Sequence, residues 1–191
     1  RLRDGFGMPD LNNELVQKYQ NYYMQHPAAM RRLLDNGRRY AYYVLEELER
    51  RGMPSELALL PMVESSYNPK APSPARAAGL WQFIPSTGRS YGLSQSWWED
   101  NRRDVVSSTG AALDYLSYLY SLRGDWHLAL ASYNWGEGSV GRAVAKNQAQ
   151  GMATGYDDLR MPAETKNYVP RLQAIKNILR DPQLVAQMNL P

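Results

Sequence analysis

Apolar residues recur at intervals of three and four along most of the chain, the spacing that gathers side chains on one face of an α-helix. Leu11, Leu15, Tyr19 and Tyr22 mark a first helix, which stops before Pro27. Proline is favoured in the first turn of a helix, where its missing N–H has no partner to lose. A second helix therefore starts at Pro27 and carries Met30, Leu33, Leu34, Tyr40, Val44, Leu45 and Leu48 as far as Gly52. Pro54 opens a third segment, residues 56–64. A kink or a break is expected at Pro61, because proline cannot donate to the carbonyl of Leu57.

Asn68-Pro69-Lys70-Ala71-Pro72-Ser73-Pro74 reads as a rigid, non-helical connection. Short helical pieces are predicted around residues 80–84 and 86–91. A longer helix fits residues 105–122, with Asp104 as its N-cap and Gly124 after its end. Another runs from Trp126 to about Asn134. Gly136, Gly138 and Gly141 punctuate the next stretch, as residues for turns and close helix contact. The last helical section, residues 163–179, is interrupted by Pro170. Alternating apolar and polar runs of strand length are missing, as are tandem repeats and low-complexity tracts. The expected fold class is all-α, or α with minimal β. A helical amino-terminal arm over residues 1–51 packs on a core of residues 52–180, and a tail covers 181–191.

Composition narrows the chemistry. The 191 residues suffice to bury a core. None of their apolar runs approaches the roughly 20 residues that span a bilayer. Arg1-Leu2-Arg3-Asp4-Gly5 has no signal-peptide character, so any targeting segment is expected to have been removed or left out. Cysteine is absent, which excludes disulfides, thiol catalysis and cysteine-ligated metals. The two histidines, His26 and His127, lack ligand spacing, so no metal site is expected. A net charge of +3 argues weakly for nucleic acid and suits an anionic polymer such as a cell wall equally well. The aromatic balance says more, with 14 Tyr and 5 Trp against 2 Phe. Tyr and Trp pair an apolar face with a polar handle, which suits a groove that stacks on sugar rings. Packing between helices remains the commoner explanation for any single ring, and Trp81, Trp97, Trp98 and Trp126 are assigned to packing.

Glu64 is the carboxylate best placed for chemistry. It follows Leu59-Leu60-Pro61-Met62-Val63, so its backbone is anchored in apolar surroundings at the end of a predicted helix. Desolvation raises a carboxyl pKa, because the charged form loses its hydration. The result is a proton donor near neutral pH, which cleavage of a glycosidic bond requires. On position alone a surface role at a helix end is the commoner reading.

Its neighbours change that balance. Glu64-Ser65-Ser66-Tyr67-Asn68-Pro69 leads to Gly79-Leu80-Trp81-Gln82-Phe83-Ile84-Pro85-Ser86-Thr87-Gly88. Further on stand Ala131-Ser132-Tyr133-Asn134-Trp135-Gly136 and Glu164-Thr165-Lys166-Asn167-Tyr168-Val169. In order and approximate spacing these resemble the motifs of the soluble-lytic-transglycosylase family, which has a goose-type lysozyme fold. Arg103-Asp104-Val105 adds to the likeness, which covers about residues 52–179.

The resemblance implies roles residue by residue. Glu64 matches the catalytic glutamate, and Ser73 a serine near the reacting sugar. Gln82 matches a glutamine facing the groove, and Ile84 a hydrophobic groove position. Tyr133 and Asn134 match the third motif, whose tyrosine hydroxyl lies near the catalytic carboxyl. Glu164 and Tyr168 match the last motif, on the far wall of the groove. Trp135 stands where the family more often has a small residue, which bears on the groove's width. Structural roles stay open beside these: Ser73 as a turn or cap, Gln82 as a partner for buried backbone groups, and Tyr133 as a core residue bonded to a carbonyl.

Most glycosidases need two carboxylates, whereas only Glu64 sits in a chemistry-bearing motif here. The resemblance implies a reaction in which the substrate supplies the nucleophile. Glu64 protonates the oxygen between N-acetylmuramic acid and N-acetylglucosamine, then takes the proton from the muramoyl 6-hydroxyl as it closes on the anomeric carbon. A 1,6-anhydromuramoyl end forms and no cofactor takes part. Hydrolysis on the same fold, a glycan-binding module without activity, and a helical scaffold are the rival readings. An intact Glu64 motif argues against the module, and the proline and glycine of residues 79–88 are poor scaffold material. The resemblance further implies peptidoglycan strands as the partner and a periplasmic, outer-membrane-associated location; a monomer is expected. It also implies a longer parent with a lipid anchor and LysM repeats, of which this chain is an excised portion.

Overall fold

A computed structural model of the chain describes residues 1–71, 77–96 and 99–191. The described residues are helical nearly throughout, and their strand-like pairings are the isolated bridges Ala78 to Phe83 and Gln95 to Asp100. The protein is all-α.

Residues 1–51, expected to form a helical arm, hold three α-helices: α1 (Glu14–Gln25), α2 (Pro27–Gly37) and α3 (Ala41–Arg51). Asn13 caps α1 through its side chain. The buried face of α1 is set by Val16 and Tyr23, while Tyr22 is exposed. The single helix expected from Pro27 to Gly52 is broken after Gly37. Gly37 is buried against Tyr67, and an added Cβ would stand 3.1 Å from that ring. Contact with a side chain thirty residues away, which no local pattern records, accompanies the break. Gly52 then ends α3 in the left-handed conformation that costs glycine little.

The core is built from α4 (Leu60–Ser65), α5 (Pro85–Ser90), α6 (Val105–Arg123), α7 (Trp126–Trp135), α8 (Glu137–Ala149) and α9 (Ala163–Arg180). α7 lies at its centre, in contact with α6, α8 and α9. Asp104 and Asp125 cap α6 and α7 by accepting from Ser107 N and Leu128 N. α8 is a helix that the glycine spacing does not predict. It runs through Gly138 and Gly141, and the chain turns at Gly136, whose φ is 101°. α9 passes through Pro170 without a break. The cost is the donor to the carbonyl four residues back, set against a face that buries Tyr168, Val169, Leu172, Ile175 and Ile178. Of the kink or break expected at Pro61, the structure has the break. A 3-10 helix, Ser55–Leu59, ends there and Pro61 falls in the first turn of α4, where no bond is lost.

Arm and core share one hydrophobic cluster, which runs from Met8, Val16, Met30 and Leu48 to Leu113, Leu130 and Ile175. α1 lies along α9. A buried ionic network reinforces the contact. Glu56 is fully buried, accepts from Gly7 N and Met8 N, and pairs with Lys176 at 2.8 Å. Lys176 also reaches Asp10 at 3.0 Å and the carbonyl of Met8. The expected carboxy-terminal tail contains a short helix, α10 (Pro182–Gln187), and buries Met188. Among the described residues no helix is long and apolar enough to cross a membrane.

Candidate active site

Glu64 occupies the last turn of α4, and the sequence on both sides fixes its direction. Before it, Ser55 to Leu59 are all buried, as are Leu60, Pro61 and Met62. After it, Ser66 and Tyr67 both adopt positive φ, 51° and 59°, and end the helix abruptly. Such conformations cost non-glycine residues energy unless the surroundings impose them. Tyr67 is held by its hydroxyl, which donates to the carbonyl of Ala58 at 2.5 Å, and by its packing on Gly37. Ser65 donates to the carbonyls of Pro61 and Leu80, tying α4 to the next segment.

That segment, residues 78–83, is not the helical piece its spacing suggests. It is a tight turn closed by the bridge between Ala78 and Phe83. Gly79 has φ +84°, and an added Cβ would lie 1.9 Å from the carbonyl oxygen of Arg102, so backbone packs directly on backbone there. Gln82 also adopts positive φ, 52°, and its amide donates to the carbonyls of Ala71 and Gly79. The structural role left open for Gln82 is therefore realised, and the residue still lines the hollow beside Glu64. Trp81 is fully buried, with its indole N–H on Thr109 of α6 at 3.0 Å.

Sequence reasoning missed Arg102. Its guanidinium donates to the carbonyl of Phe83 at 2.9 Å and pairs with Asp100 at 2.6 Å, while its side chain lies under Gly88. A lone arginine beside Arg103 carries no signal of this, since the contact spans nineteen residues.

A hollow of about 370 Å3 opens over Glu64. Gln82, Ile84, Tyr133, Asn134 and Glu164 all line it, so residues from four separated motifs meet in one place. Phe83, Thr87, Tyr115 and Trp135 complete much of the wall. Ile84 is 43% exposed at the rim. The ring of Tyr133 lies between Phe83 and Tyr115, at centroid distances of 6.4 and 5.6 Å. Asn134 donates to Glu164 at 3.3 Å and accepts from Thr165 at 2.8 Å, joining α7 to the start of α9. Ser73 lies outside the described residues, as do Trp97 and Trp98.

Both tyrosines stand close to the Glu64 carboxyl, and they differ in what their hydroxyls bond. Tyr133, expected near the carboxyl through its hydroxyl, donates that hydroxyl to the carbonyl of Trp81 at 2.6 Å. Tyr168, expected on the far wall, is buried behind Glu64 and donates to its Oε1. The physical reason is the line of α9, which aims position 168 at the end of α4 while leaving position 164 exposed in the hollow.

Burial pushes the Glu64 carboxyl up to about 7, against the opposing hydrogen bond from Tyr168 and with a further push from the Glu164 charge. Burial and the nearby Glu64 hold the Tyr133 and Tyr168 hydroxyls well above their ordinary range. Near neutral pH the site therefore offers one carboxyl able both to give and to regain a proton. Among the described residues no group of three His, Cys, Asp or Glu side chains is placed to hold a metal ion.

Comparison with known proteins places this geometry in context. The family described as Transglycosylase SLT domain matches residues 43–154. Membrane-bound lytic murein transglycosylase D of Escherichia coli (strain K12) is 43% identical over 176 residues, which are 92% of this chain and 38% of that protein. A protein of Alteromonas sp. (strain M-1) named for tributyltin chloride resistance is 45% identical over 113 residues, or 58% of this chain and 55% of its own. Membrane-bound lytic murein transglycosylase C of Mannheimia succiniciproducens is 26% identical over 185 residues, 76% of this chain and 50% of that protein. The chain thus spans well under two thirds of the length of each of these relatives.

Proposed function

Because the chain belongs to the transglycosylase SLT family, we propose that it cleaves peptidoglycan glycan strands without consuming water, with Glu64 as both acid and base. The observation that carries this reading is the Glu64 carboxyl itself, half-buried on the groove and bonded by Tyr168, where desolvation raises it towards neutrality. In the first step it gives its proton to the oxygen linking muramic acid to glucosamine, and the bond from the anomeric carbon to that oxygen breaks. The carboxylate left behind then takes the proton of the muramoyl 6-hydroxyl, whose oxygen bonds to the same carbon. Glu64 ends as it began, and the product carries a 1,6-anhydro end. Attack from within the same sugar is efficient because its nucleophile is already in place. Gln82, Ile84, Tyr133, Asn134 and Glu164 hold the strand, and Ser73 completes the same set. Tyr168 positions the carboxyl.

Glu164 favours a second reading, hydrolysis, since it offers another carboxylate on the same hollow. Digestion of purified sacculi followed by mass spectrometry separates the two. Anhydro ends, lighter by one water, are expected; reducing ends alone would establish hydrolysis. We assign residues 1–51 as an arm on a catalytic core of residues 52–180, followed by the 181–191 tail. The parent protein works as a periplasmic monomer at the outer membrane, held there by a lipid anchor and by LysM repeats beyond this chain.

A further inference from the structure

Glu164, Tyr168 and Arg171 stand at i, i+4 and i+7 on α9 and so share one face of it. The first lines the groove and the second bonds Glu64. Arg171 lines a second hollow, of about 390 Å3, formed where α1 and α2 meet α9. Ser66, two residues beyond Glu64, lines it too. Arg171 is roughly 10 Å along the helix from Glu164 and about 4.5 Å from Tyr168. The second hollow therefore lies about one helical turn beyond Tyr168, on the side of the amino-terminal helices.

Its lining is cationic and aromatic. Lys18, Arg32 and Arg171 converge on it among Tyr19, Tyr22 and Tyr23. The Arg171 guanidinium lies 5.2 Å from the centre of the Tyr19 ring, and the Lys18 ammonium 6.0 Å from it. Tyr19 is itself fixed by donating to Asn167 at 2.8 Å. Among the described residues none of the three cations has a carboxylate within 4.0 Å, whereas Arg1, Arg50, Arg51, Arg102, Lys176 and Arg180 all do. Three uncompensated cations around one concavity attract an anion. Arginine stacked on a ring keeps its planar edge free for two-pronged binding of a carboxylate.

Given the function proposed above, the substrate brings such groups with it. Peptide stems bearing free carboxylates branch from the muramoyl units of the strand being cut. We propose that the hollow between α1, α2 and α9 is a subsite for a carboxylate of the stem attached to a muramoyl unit bound beside Glu64. On this reading the arm takes part in choosing the substrate.

The test compares strands that keep their stems with strands stripped of them by an amidase, using the whole chain. Arg171→Gln and, on the exposed side, Arg32→Gln are assayed after thermal melts confirm folding. On stem-bearing strands each variant should raise KM about tenfold, the worth of one charge-assisted hydrogen bond, with kcat held. On stripped strands both should match the parent. In parallel, a free stem peptide is titrated into the parent and the variants while the tyrosine ring signals are followed by NMR. The peptide should shift those of Tyr19 and Tyr23 in the parent alone. Equal effects of the variants on both kinds of strand, or a peptide that shifts nothing, would overturn the subsite. If neither kind of strand is cut, the proposed function fails and the titration still decides the subsite.

Discussion

Tyr168 donates its hydroxyl to Oε1 of Glu64, so one carboxyl stands between two opposed influences. Burial favours its neutral form, and the hydrogen bond favours the charged one. Burial wins, and the carboxyl rises to about 7. The tyrosine's own proton is held so firmly that it stays a donor and never competes as the acid.

Glu64→Gln should keep the fold and glycan binding yet release almost no muropeptide. Gln preserves size and can still accept from Tyr168, but it has no proton to transfer and no carboxylate to receive one. The loss should reach at least the hundred- to ten-thousand-fold, roughly, that acid–base catalysis supplies. A muropeptide digest beside a sacculus pull-down measures both properties. Substantial release by the folded variant would remove Glu64 from the mechanism.

The same substitution should alter stability in a pH-dependent way. The folded-state value of about 7 lies above the ordinary 4.5, so the native state keeps a proton that the unfolded chain gives up between the two. The stability associated with that proton is full below about pH 4.5 and lost as pH rises through about 7. Gln is neutral throughout and escapes the loss. Glu64→Gln should therefore be more stable than the parent at pH 8, by on the order of 3 kcal/mol at most, and nearly equal to it at pH 4. Denaturant melts at the two values decide, and an equal difference at both would refute the buried-acid account.

Tyr168→Phe removes the influence that favours the charged form. The Glu64 carboxyl should then hold its proton to higher pH, moving the alkaline limb of the rate profile up by roughly one pH unit. The profile of kcat/KM against pH reads this directly. A limb that stays in place, or moves down, would mean that the hydroxyl does not tune the acid.

Lys176→Met should cost about 3–5 kcal/mol, because it strands the charge of fully buried Glu56. Pairing it with Glu56→Gln should recover part of the loss. Amide exchange at Gly7 and Met8, both donors to Glu56, should accelerate in the single variant. Unchanged exchange there would show that the network does not hold the amino-terminal segment.

The division between legible and hidden features is one of distance along the chain. Asp104 and Gly124 are local signals, and the helix they bound begins and ends within about a residue of the expected places. Glu64, Gln82, Ile84, Tyr133, Asn134 and Glu164 stand out by motif and do line one hollow. Contacts between distant segments are illegible. Nothing near Gly37 tells of Tyr67, and nothing near Phe83 tells of Arg102. Which of Tyr133 and Tyr168 donates to the carboxyl depends on where α7 and α9 lie, and spacing carries no such information. The continuous α9 shows the same limit, for Pro170 breaks a local rule that burial along the helix outweighs.

The left-handed Ser66 immediately after the acid's helix has a bearing on protein engineering. Glycine adopts that conformation freely, and the serine is exposed, so Ser66→Gly should relieve about 1 kcal/mol of backbone cost without touching the core. Tyr67 allows no such exchange, because its ring is fully committed to packing. A helix that ends on an improvable residue retains thermal headroom, and a hardier variant of this chain can be sought two positions from Glu64.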